Sequence, residues 1–177
     1  MSIRWCLLGV RACALAAAVC MAGGTGSQAV AEGFLEDGAE IEAADASGTE
    51  GPWITANGRT GVVTVTNPTP VSIAIQMNPG PFYRWPVDWW FISLDQARGH
   101  WYYLNAARQP VSFSIARFDC RPLYQGPLIP VGSTPLLNQV VFPVGTWQFW
   151  FGVDYPMDGI LRPGGSVAAR TVLVQVK

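Results

Sequence analysis

Along residues 51–177 the apolar positions recur every second residue, and Pro, Gly, Asn and Asp interrupt them at short intervals. In 71–77, Val71, Ile73, Ile75 and Met77 share one side while Ser72, Ala74 and Gln76 share the other, the alternation of a strand with one face on a core. The same period predicts strands over 62–66, 87–94, 100–104, 111–116, 136–142, 146–154 and 167–177. Between the strands predicted at 111–116 and 136–142, residues 121–135 carry Pro122, Pro127, Pro130 and Pro135, and regular structure is expected to be sparse there. Eight short strands without a helical period predict an all-β fold of two antiparallel sheets packed face to face over 51–177. No repeat of fixed period is present, which argues against a propeller or solenoid.

Two of the predicted strands are apolar on both sides. Trp90, Ile92 and Leu94 oppose Trp89, Phe91 and Ser93, and Trp150 opposes Phe149, Phe151 and Val153. One side is the core and the other needs a cover, either the Pro-rich connection or nothing, which leaves a surface open for contact. Trp85, Trp89, Trp90 and Trp101 fall within seventeen residues. The candidate ligand-binding set is Trp85 and Trp89 as stacking rings, with Arg84 and Asp88, and Gln125 nearby, to hydrogen-bond sugar hydroxyls. The simpler reading of these rings is core filling in a domain without disulfides.

Ahead of this pattern the composition changes twice. Arg4 and Arg11, the small apolar run 12–24 and Ala29-Val30-Ala31 read as a signal peptide over 1–31, too short in its apolar part to span a bilayer. Its removal takes away Cys6, Cys13 and Cys20, so Cys120 remains without an internal disulfide partner and reads as a buried, inert thiol. Residues 32–50 hold seven acids and no base, with Phe34, Leu35 and Ile41 as the large apolar residues, and read as an acidic flexible tail. Residues 51–177 hold nine bases against five Asp, dispersed rather than clustered, which gives no support to nucleic-acid binding. The expectation is an exported chain, periplasmic or extracellular, with no membrane span after cleavage.

Catalytic readings find little to assemble. His100 is the one histidine and lies in a predicted strand, no Ser has a glycine-elbow context, and the folded part contains no Glu to pair with an Asp. Cys120 has Arg117 and Arg121 near it but also Asp119. No enzyme, cofactor or metal is expected.

Four ordered motifs carry a resemblance: Asp88-Trp89-Trp90, Trp101-Tyr102-Tyr103, Tyr124-Gln125-Gly126-Pro127-Leu128, and Gly145-Thr146-Trp147 running on to Asp154. The chain resembles a group of uncharacterised secreted bacterial immunoglobulin-like β-sandwich domains with DWW, YQGPL and GTY-FYFGVD-like motifs. The resemblance implies the fold, frequent placement at the end of a larger exported protein, and no assigned activity. In that group the turn after the FGVD-like strand often looks like a calcium loop. Here Asp154, Asp158 and Gly159 stand in place, whereas Pro156 lacks a side-chain oxygen and Arg162 replaces a final acid, so the turn reads as structural. The function expected is a non-catalytic interaction module contacting a protein or cell-envelope partner. The alternative is a carbohydrate-binding module with a Trp platform.

Overall fold

The computed structural model describes residues 50–161 and 167–177. The predicted signal peptide, the acidic stretch apart from Glu50, and Arg162 lie outside the described residues. Among the described residues ten strands form two sheets. They are β1 (Gly51–Ala56), β2 (Gly61–Val65), β3 (Val71–Asn78), β4 (Pro86–Asp95), β5 (His100–Leu104), β6 (Pro110–Phe113), β7 (Tyr124–Pro127), β8 (Val131–Val140), β9 (Gly145–Asp154) and β10 (Val167–Val176). The small sheet has the order β1-β3-β8 and the large one β2-β10-β9-β4-β5-β6, with β7 also paired to β4. The result is an all-β, sandwich-like domain of two sheets.

The predicted strands are present, with 111–116 shortened to β6 because the chain turns at Ser114, whose carbonyl accepts from the Arg117 and Phe118 amides; three further differences also have physical causes. β1 was not among the predicted strands; its Trp53, Ile54 and Ala56 are buried and pair along β3. β7 emerges inside the Pro-rich connection, where β4 outruns β5: β5 pairs with Ile92–Asp95 and leaves the edge at Pro86–Trp89 to β7. β8 starts five residues earlier than predicted and includes Pro135, tolerated because β8 is the edge of its sheet and its register is already irregular. The sheets are also not wholly antiparallel, since β2 pairs parallel to β10. Between β1 and β2 the chain changes sheet through Asn57 (φ 49), Gly58 (φ 75) and Gly61 (φ 70), a left-handed path suited to Asn and Gly.

The face assignments read from the alternation hold. Ile54, Val71, Ile73 and Ile75 of the small sheet meet Trp89, Phe91, Phe149, Phe151, Val172 and Val174 of the large one. Burying each large side chain contributes on the order of 1.5–3 kcal/mol. Trp90, Ile92, Leu94, Trp101, Tyr103 and Trp150 form a second apolar layer on the outer face of the large sheet. Trp101 and Trp150 stack there at 5.4 Å between ring centroids and 19° between planes.

The cover of this second layer is not the Pro-rich connection. It is the stretch that carries Val111, Phe113, Ile115, Phe118 and Cys120, joined by Leu161. Leu123, Leu128 and Val131 of the Pro-rich segment pack instead on the core between the sheets. Inside the cover, the Ser114 amide donates to Asp119 Oδ1 (2.9 Å). That bond, with Arg117 3.0 Å from the other carboxylate oxygen, holds the Asp119 carboxyl below its usual range.

Candidate binding surface at the loop end

The strand registers gather one set of strand ends. Gly51 pairs with Asn78, Met77 with Val131, and Asp88 with Asp154, which in turn pairs with Val167. The loop from β3 to β4 and the turn after β9 therefore lie at the same end as the start of β1. Asp88 ties them together. Fully buried, its carboxylate accepts from Gln125 Nε2 (2.8 Å) through Oδ1, and from the backbone N–H groups of Asp158 (3.0 Å) and Gly159 (2.6 Å) through Oδ2. Gly159 has φ 73, and Asp158 Oδ1 accepts from the Ile160 amide (3.0 Å). The predicted structural turn is thus locked by a residue seventy positions upstream of Asp158.

On top of this lock lies an exposed aromatic rim. Trp85 is half-buried, with Phe82 edge-on at 5.2 Å and Tyr155 tilted at 5.3 Å. Arg84 is exposed, with φ 67 and its guanidinium 5.3 Å from the centre of the Tyr83 ring. Paired backbone bonds, Arg84 N–H to Leu128 O and Leu128 N–H to Trp85 O (both 2.8 Å), bring Ile129 alongside. Among the described residues nine large apolar side chains are exposed, and six of them belong to this end: Tyr83, Tyr124, Ile129, Tyr155, Met157 and Ile160. That concentration sets this end apart, because isolated exposed apolar residues are ordinary and gathered ones are not.

The four sequence-predicted site residues divide between two depths. Arg84 and Trp85 reach the rim. Asp88 is the lock beneath it, and Trp89 is 5 % exposed, its ring edge-on to Tyr124 and Phe151 and its indole N–H without a hydrogen-bond partner. Trp150, the other ring with an open predicted face, is buried under the cover. A flat sugar-stacking platform of Trp85 and Trp89 does not form. Sequence reasoning missed Tyr83, Tyr155, Met157 and Ile160, whose signal is large apolar residues placed in Pro/Gly turns, where no strand alternation calls for burial.

The remaining chemical candidates are apart from the rim. Cys120 is 4 % exposed, and burial pushes its thiol up to about 11, the reverse of an activated nucleophile. His100 is exposed at the far end of β5, its ring 6.5 Å from that of Tyr102. Among the described residues no three His, Cys, Asp or Glu side chains converge in a way that could hold a metal ion. Compared with protein-family models, curated proteins and solved structures, the chain matches none.

Proposed function

We propose that this is an exported, non-catalytic binding module of immunoglobulin-like topology whose loop-end rim contacts a protein or cell-envelope partner. The observation that carries the reading is the gathering of Tyr83, Arg84, Trp85, Tyr155, Met157 and Ile160 on two loops, the later one held by the buried Asp88 carboxylate and the earlier one by backbone bonds between Arg84, Trp85 and Leu128. Aromatic residues, Met and Arg are the types enriched at protein interfaces, and a locked scaffold reduces the ordering cost of binding. The strand order supports the immunoglobulin-like part: a first strand divided between both sheets, its second half parallel to the last strand, and a large sheet ordered last, penultimate, β4, β5. The resemblance to secreted bacterial sandwich domains gains support from the Asp88 lock, which draws two of the four motifs and the turn that follows the fourth into one hydrogen-bonded unit.

Sedimentation with a cell-envelope preparation from the producing cells tests the function. Saturable binding is expected, weakened roughly thirtyfold by Tyr83→Ser/Tyr155→Ser, as for loss of about 2 kcal/mol at an interface anchor. Val62→Ser/Val144→Ser, on exposed apolar residues away from the rim, is expected to bind like the parent. Equal binding by the rim variant and the parent refutes the reading.

A further inference from the structure

We propose that the rim is docked in cis by the acidic stretch of this same chain, residues 32–49, which competes with the external partner; the inference rests on the rim being a contact surface. The point of entry comes first. Glu50 precedes β1 at the rim's end of the sandwich, and its side chain lies so close against Gly80 that a Cβ there would collide with the Glu50 carboxyl group. Tyr83 follows Gly80 by three residues. Phe34 stands sixteen residues before Glu50, a contour of roughly 50 Å when extended, so reach imposes no limit.

Chemistry supplies the second argument. The stretch sets Phe34, Leu35 and Ile41 among six acids, and the rim sets exposed rings around Arg84, which has no acidic partner among the described residues. Apolar side chains meet rings and carboxylates meet the Arg84 guanidinium. The excess of bases over residues 51–177 favours the same encounter from a distance. A short tether gives an effective concentration on the order of mM, enough to shield the rim with an affinity too weak to matter between separate molecules.

A photo-crosslinking residue placed at Tyr155 in the full chain, irradiated in dilute solution and mapped by mass spectrometry, tests the proposal. Crosslinks within one molecule to residues 32–49 are expected, reduced at least about fivefold by 1 M salt, where screening acts within about 3 Å, and by Arg84→Glu. Phe34→Ser/Leu35→Ser, which leaves the sandwich untouched, is expected to abolish them and to tighten envelope binding severalfold. Absence of intramolecular product, or crosslinks to a second copy that grow with concentration, overturns the proposal. Rim-dependent envelope binding unchanged by Phe34→Ser/Leu35→Ser overturns it while leaving the binding function standing.

Discussion

Replacing Asp88 by alanine tests the lock directly. The carboxylate has no solvent exposure and accepts three hydrogen bonds, two of them from backbone amides of the turn after β9. Gln125 is exposed and its amide regains water, so the loss concentrates on the Asp158 and Gly159 amides. Hydrogen bonds to a charged acceptor contribute about 1.5–3 kcal/mol each, and relief from burying a charge offsets part of their loss. The expected net cost is about 2–4 kcal/mol. Asp88→Asn retains one oxygen for the turn amides, and Gln125 can rotate its amide to accept from the new Nδ2, so about 1–2 kcal/mol is expected. Urea unfolding followed by Trp fluorescence gives the ranking, and hydrogen exchange at Asp158 and Gly159 localises it. An Asp88→Ala variant within about 1 kcal/mol of the parent, with both amides still protected, would refute the account of this carboxylate as the lock.

Two further outcomes follow from the second apolar layer. Because the Cys120 thiol is raised from 9.0 to about 11 in the fold, the folded state retains a proton that the unfolded chain releases, so stability is full below pH 9 and declines between pH 9 and 11. Urea midpoints across that window check this; a flat profile in the parent, identical to that of Cys120→Ala, refutes it. Trp150→Ala is expected to cost about 3–5 kcal/mol and to remove the near-ultraviolet circular dichroism of the stacked Trp101–Trp150 pair, whereas a cost below about 1 kcal/mol would mean the cover is not a packed layer.

Periodicity made the sheets legible because a strand's facing is a local property. The alternation of Trp89, Phe91 and Ser93 with Trp90, Ile92 and Leu94 placed both apolar layers correctly. It could not say what covers the outer one, since Phe118 and Cys120 reach that layer from an irregular stretch with no period. Pro135 concealed the start of β8 for a related reason: proline rules out a central strand but not an edge, and edges are set by topology. The candidate site was half legible. Arg84 and Trp85, singled out by their chemistry, lie at the rim, while the place of Asp88 depends on amides seventy residues away that no local pattern discloses.

The parallel pairing of β2 with β10 has a mechanical consequence. Val172 through Val176 run beside Gly61 through Val65 in the same direction, and β10 leaves the sandwich at Lys177, opposite the end where Glu50 enters. Tension between those two points pulls the paired strands past one another along their length. All five register pairs then bear load together rather than opening in sequence like a zipper. A domain wired this way resists stretching between those two points better than its thermodynamic stability alone implies.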